Sequence, residues 1–468
     1  MDFNRLQREV VRKWDADVMP ALLAYMAIPC ESPAFDADWE TSGYLDRAAE
    51  LMAKWARRQL ESVEGATIEL LRTPRHTPLI FIEVEGDARA PVLIYGHLDK
   101  QPPMEGWAAG RSAWVPSIEG ERLYGRGGAD DGYALFAALT PLLALREQGV
   151  SHPPCRILIE ACEESGSGDL PSYIDQLAGR IGEPGLVIAL DASCGNYEQL
   201  WATTSLRGQV AGALEIKVLT EGVHSGDASG VIPSPFRIAR SLLSRIESEV
   251  TGEILLPDLY AEIPAERRAQ AADAAAILGE ATYFGLPFVK SARPVLDDPA
   301  ELAFNRAWRP QLAITGMTGL PTVANSSAVM HPELALKLSI RLPPTLDPEL
   351  AARELKNCLE ADPPYGAHVC FDVHMASAGW HAPPLAPWLA ARLDNASLNA
   401  FGRPSAFMGG GGGIPFLSML GERFPSTQFV ATGVLGPQSN AHGPNEFLHL
   451  PTAKRITAAL AHLLHECQ

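Results

Sequence analysis

Apolar residues recur at three- and four-residue intervals through VVRKWDADVMPALLAYM and YLDRAAELMAKWARRQL, which predicts two amphipathic helices between residues 3 and 60. The texture then changes. LIFIEVEG and PVLIYGH are short, rich in branched residues and bounded by Gly, Pro or charge, as buried strands are. An Ala- and Leu-rich helix is expected over 131–147, followed by the apolar strands CRILIEACEE and GLVIALDA. Strand and helix therefore alternate, which argues for an α/β mixed sheet flanked by helices, with ligands at the carboxyl ends of its strands.

Beyond residue 206 the pattern is that of half-exposed strands. ALEIKVLTEG, LALKLSIRLPP and HVCFDVHMASAG alternate, and SPFRIARSLLSRIES and DPELAARELKNCLEA are amphipathic helices. Two antiparallel-type strand pairs with two helices read as a separate α+β module. After the Pro-rich HAPPLAP, helix and strand alternate again through FVATGV to TAKRITAALAHLLHE. The expected organisation is a discontinuous domain, 1–206 plus 383–468, carrying an inserted domain over 207–382. Gly409 to Gly413 form a five-glycine tract suited to a turn or to close backbone approach.

Composition narrows the partner. At 468 residues the chain is about three times the ~150 expected per domain, so two or three folded units are expected. Hydrophobic residues at 47% and charged residues at 20% exclude a disordered, collagenous or coiled-coil chain. Fifty-six acidic against thirty-eight basic side chains give a formal charge of −18, a field that repels phosphate backbones and anionic membranes. No nucleic-acid or membrane partner is expected. The longest apolar stretch, 133–145, is interrupted by Thr140 and Pro141 and falls short of the ~20 residues of a membrane span. The charged start MDFNRLQREVVRKW lacks the apolar core of a signal peptide, and seven scattered cysteines without a CxxC pair fit a reducing cytoplasm.

Five segments place His, Asp or Glu at strand ends or in adjoining loops. In VLIYGHLDK, His97 and Asp99 can share one face, so that the carboxylate orients the imidazole, although a polar surface turn would read the same. GRGGADDG sets Asp130 beside Asp131 ahead of a helix; a cap explains one acid, whereas two repel unless solvated, at a helix terminus or bound to a cation. Its glycines are no phosphate loop, since acids stand where an anion would sit. ILIEACEESGS ends in Glu163 and Glu164, LVIALDASCG in Asp191, and QSNAHGPNEF carries His442 among turn formers. Singly each is weak; together they supply the mixed nitrogen and oxygen donors of a pair of divalent ions such as zinc or manganese. One carboxylate would bridge, a His and a carboxylate would complete each ion, and a spare Glu would be left as base.

The ordered strings YGHLDKQP, LYGRGGADDG, EACEESGS, LDAS, GVHSGDASG, LSIRLPP and NAHGPNE resemble the M20 metallopeptidase family, specifically its branch of cytosolic non-specific dipeptidases and carnosinases. The resemblance spans essentially the whole chain. It implies a catalytic domain holding two metal ions, zinc foremost with manganese or cobalt as substitutes, and an inserted lid that also forms a homodimer. Carried over, His97 and Asp191 hold one ion, Glu164 and His442 the other, and Asp130 bridges, with a cis peptide expected between Asp130 and Asp131. Asp99 orients His97, and Glu163 is the general base that takes a proton from the water the ions activate. His224 reaches across the dimer to stabilise the oxyanion, Arg341 grips the substrate carboxylate, and Asn325 is a further substrate contact.

The departures bear on the substrate. Ala328 stands where the family carries Thr or Asn, and Gly410 and Gly413 stand in MGGGGGIPF where this branch has a Glu and a Ser or Thr. A cationic amino end loses a partner, and room opens for a bulkier or blocked one. The leading expectation is a di-metal hydrolase of amide bonds in dipeptides or similar small substrates with a free carboxylate. The alternatives are an aminoacylase or amidohydrolase acting on N-acyl amino acids and a non-catalytic metal-binding dimer module.

Overall fold

All six residues of Val92–His97 are buried, as an unbroken apolar run requires of a strand covered on both faces. In the computed structural model, which describes residues 1–284 and 286–466, this strand lies inside a nine-stranded sheet. Cys155–Glu160 and Leu186–Ala189 flank it in parallel, and Gln428–Ala431 extends the parallel block. Leu79–Val84 and Ala66–Leu71 add antiparallel on one side. Trp201–Leu206, with Ala406–Gly410 and Trp380–His381 beside it, closes the other.

Helix Ala134–Glu147 is buried from Ala134 to Leu145 and carries Pro141 within it, so the apolar run is one continuous core helix. It starts three residues later than its pattern suggests, because the turn Gly128–Gly132 precedes it. That turn packs so closely that a Cβ on Gly132 would stand 2.0 Å from Tyr25 Cε1. Leu450–Glu466 covers this helix and is in turn covered by Phe3–Lys13. At the amino end Phe3–Lys13 runs through the π-turn Trp14–Val18 into Met19–Met26, and Tyr44–Leu60 forms the second expected helix. No helix of the described residues is long and apolar enough to cross a membrane. Among the described residues six cysteines are free, and Cys467 lies outside them.

Between Leu206 and Gly208 the chain leaves this sheet for a second, four-stranded antiparallel one, ordered Gln311–Thr318, Glu333–Leu342, Gly208–Lys217, His368–Ser377. Leu334, Leu336, Leu338, Ile340 and Leu342 all face its buried side, which helices Pro235–Leu243 and Pro348–Glu360 cover. The chain returns between Ser377 and Trp380. Strand Gln311–Thr318 and the helices Ala265–Leu278 and Pro299–Ala307 were not foreseen from the pattern. Both helices seat on Ala406–Gly410 in the first sheet. The glycine tract permits this: a Cβ on Gly409 would come within 2.4 Å of the Cβ of Ala307. Gly409 and Gly410 are strand, and the turn follows them.

Candidate metal centre

Parallel strands that end level present the residues just beyond them to one crevice. His97 closes its strand opposite Glu160, and the turn Glu163–Ser165 follows the latter. Asp191 comes just after Leu186–Ala189, Asp130 stands in Gly128–Gly132, and His442 lies in the loop beyond Gln428–Ala431. These sites are far apart in sequence and adjacent in space.

Asp130 is the centre of the cluster. Its Oδ1 is 3.2 Å from His97 Nε2, and its Oδ2 is 3.0 Å from His442 Nε2. Asp191 Oδ2 stands 3.8 Å from His97 Nε2, and Glu164 Oε2 stands 3.4 Å from His442 Nε2. The peptide bond between Asp130 and Asp131 is cis, as the resemblance implied. Asp99 is wholly buried and does more than face the imidazole. Its backbone carbonyl lies 3.1 Å from His97 Nδ1 and its carboxylate 3.4 Å, while the carboxylate accepts from the amides of Glu163 and Glu164 at 3.1 and 3.0 Å.

The electrostatics are those of crowded acids. Burial raises Glu163 and Asp191 well above the ordinary carboxylate range, and neighbouring carboxylates raise them further. Glu164 is pushed up to about 7, by burial first and then by the charge of Asp130. Burial acts upward on Asp130 too, but its hydrogen bonds with His442 and His97 outweigh this and hold it well below the usual value. Burial pulls His442 down, yet its bond and charge contact with Asp130 leave it at about 9. Glu164 Oε1 is buried with no hydrogen-bond partner among the described residues. Only protons or cations stabilise such a set of acids. Divalent ions fit the donors: His97, Asp130 and Asp191 offer ligand atoms within 4.8 Å of one another, and so do Asp130, Glu164 and His442. One nitrogen and two oxygens in each triad suit zinc or manganese.

The cluster opens on a cleft of about 880 Å³ lined by Glu163, Arg341, Gly410 and Gly413 among others. His224 and Asn325 are not among its lining residues. His224 sits on the ribbon of Val223–His224 and Val329–Met330, next to Ala328, with its side chain 68% exposed. Asn325 is exposed in the nearby turn Val323–Asn325.

Four contributors escaped the sequence reading. Gln101 Nε2 donates to Glu164 Oε2 at 2.7 Å. Arg126 pairs with Glu446 in full burial, donates to the carbonyls of Pro102 and His442, and thus ties three site loops together. His442, whose carbonyl it meets, is at φ 65, a left-handed conformation uncommon outside glycine. Gln101 and Glu446 lie in the strings YGHLDKQP and NAHGPNE respectively, where a polar residue four positions from His97 or His442 is the usable signal. Arg207, which also lines the cleft, had none.

The chain is similar to known proteins. The sequence model of peptidase family M20/M25/M40 matches residues 93–466, and the chain belongs to that family of hydrolases. A cysteinylglycine-S-conjugate dipeptidase of Corynebacterium striatum is 25% identical over 435 residues, covering 89% of each chain. A Beta-Ala-His dipeptidase of Rattus norvegicus is 27% identical over 335 residues, covering 68% of this chain and 64% of that one. Among solved structures, the dipeptidase Dug1p from Saccharomyces cerevisiae superposes with a TM-score of 0.79 at 21% identity, covering 99% of this chain and 98% of that one, a likeness of fold.

Proposed function

We propose that this chain hydrolyses the amide bond of dipeptides or similar small substrates with a free carboxylate, using two divalent ions. The observation that carries this is Asp130, which turns one oxygen to each of two histidines at the head of a cleft that Glu163 also lines. His97 and Asp191 would hold one ion, Glu164 and His442 the other, with Asp130 bridging; zinc is the first choice, with manganese or cobalt as substitutes. When bound, the ions supply Lewis acidity that acidifies water and polarises the scissile carbonyl.

The chain's own groups do the rest. Glu163, whose burial raises its proton affinity, takes the proton of the attacking water and passes it to the leaving amine. Asp99 orients His97 and pins the backbone of both glutamates. Arg341, which lines the same cleft, binds the substrate carboxylate. His224 serves the site of a second copy through the inserted lid; its exposure on its own chain supports that reading. Asn325 is a further substrate contact. The free cysteines support a cytoplasmic setting.

The relatives named for Cys-Gly conjugates and for Beta-Ala-His support a dipeptide substrate. A second reading, hydrolysis of N-acyl amino acids, draws on Gly410 and Gly413, which line the cleft without a side chain to meet an amine. A metal-supplemented panel of free and N-blocked dipeptides separates the two. Glu163→Gln should lower kcat by about 10²–10⁴-fold with bound metal unchanged. Two bound ions without turnover of any substrate would instead favour a non-catalytic metal-binding module.

A further inference from the structure

The cleft is lined by groups of both charges. The acid cluster around Asp130 is one set. Arg341 in Glu333–Leu342 and Arg207, just ahead of Gly208–Lys217, line the same cavity. Gln209 lies between them, paired with Arg341 on one side and Ser377 on the other, so this wall is a row of polar and cationic groups without an acid. Apart from the acid cluster and these two arginines, the charged lining residue among those described is Glu422, which is exposed to solvent.

Arg207 is anchored. Its Nε donates to the carbonyl of Gly411 at 3.3 Å and its Nη1 to that of Asn305 at 3.0 Å. Those bonds leave the Nη2 edge of the guanidinium without a partner among the described residues. Nη2 lies beside Gly411, where a Cβ would come within 3.4 Å of it, so the glycine tract keeps that edge open. No carboxylate balances either arginine: burial pushes Arg207 down to about 10 with Arg341 and Arg306 adding to the fall, and burial lowers Arg341. Two partly buried guanidiniums that face one cavity without a counter-ion are stabilised by an anionic ligand. One carboxylate satisfies one of them. A second, held rigidly nearby, matches a second anionic group on the same part of the substrate.

We propose that Arg207 and Arg341 form a two-point clamp that selects substrates whose residue on the carboxyl side of the scissile bond is acidic. The α-carboxylate meets Arg341, and the side-chain carboxylate meets Arg207. This rests on the dipeptidase reading above and names its substrate class. If Arg207 were only a strap between Asn305 and Gly411, its loss would lower turnover of all substrates alike.

Steady-state kinetics of the full chain with added zinc or manganese, on Ala-Glu and Ala-Asp against their near-isosteric amides Ala-Gln and Ala-Asn, decides between them. The acidic substrates should show a kcat/KM about tenfold or more above the amides. Arg207→Gln should bring that ratio close to parity, chiefly through KM of the acidic pair, and Arg207→Lys should keep part of it. Parity in the parent protein, or a ratio unchanged by Arg207→Gln, overturns the clamp. Turnover of all four without preference does so while leaving the peptidase reading intact, whereas turnover of none overturns both.

Discussion

At the scale of single residues the site turns on groups whose two polar atoms serve two masters. Asp130 does so between the histidines, and Asp99 between the amides of Glu163 and Glu164. The sequence pair His97 and Asp99 suggested a carboxylate behind an imidazole, but the shorter contact to Nδ1 comes from the Asp99 backbone. Its carboxylate fixes instead the turn that carries Glu163 and Glu164, a role no spacing rule reveals because Glu163 is sixty-four positions away. Asp99→Ala should therefore weaken metal binding about 10–100-fold, as loss of an outer support does, and Asp99→Asn, with one oxygen left, should fall between. Competition with a chromogenic chelator measures both; wild-type affinity in Asp99→Ala would show that the turn holds itself.

At the scale of elements, the strands and helices with strong periodicity were legible and those shaped by tertiary contact were not. Val92–His97 and Ala134–Glu147 are apolar on every side, which length and flanking turns suffice to assign. Gln311–Thr318 is largely exposed at a sheet edge, so it carries no alternation to read. Ala265–Leu278 buries only Arg267 and Ala274 and is mostly alanine and charge, so its helical face is faint. The loops of the acid cluster were legible as acids at strand ends, yet they are tied by Arg126 and Glu446, an ion pair separated by 320 positions. Because the pair is fully buried, Arg126→Met leaves Glu446 without its partner and should cost about 3–5 kcal/mol in equilibrium denaturation. The double variant Arg126→Met/Glu446→Leu should recover part of that stability. It should not recover activity, because the tie to the His442 carbonyl is gone. Equal loss in single and double variants would count against a charge-driven effect. Gly409→Ala tests a different contact: with its Cβ forced onto that of Ala307, it should unseat Pro299–Ala307 and lower Tm by a few degrees.

At the scale of the whole molecule, the acidic balance seen in the sequence becomes a stability problem that the metal centre concentrates. Glu160, bonded to Tyr95 and Ser167, and Glu164 are each pushed up by burial to about 7 from 4.5. Between those values the folded state holds more protons than the unfolded one, so stability falls as pH rises through the window. His97 adds the same sign. Burial pulls its pKa down, but Asp130 and Asp99 raise it well above 6.5, so its contribution is complete below 6.5 and is lost as pH climbs through the folded value. Chelator-treated protein should thus melt highest near pH 5 and lose on the order of 5 °C by pH 8. Divalent ions require the deprotonated ligands and release protons on binding, so their stabilisation grows over the same interval. The gap in Tm between zinc-loaded and chelated samples, read by differential scanning calorimetry at fixed ion excess, should widen from pH 5 to pH 8. A gap that stays constant would mean that the acids around Asp130 do not release their protons to a cation, and the di-metal reading would lose its thermodynamic basis.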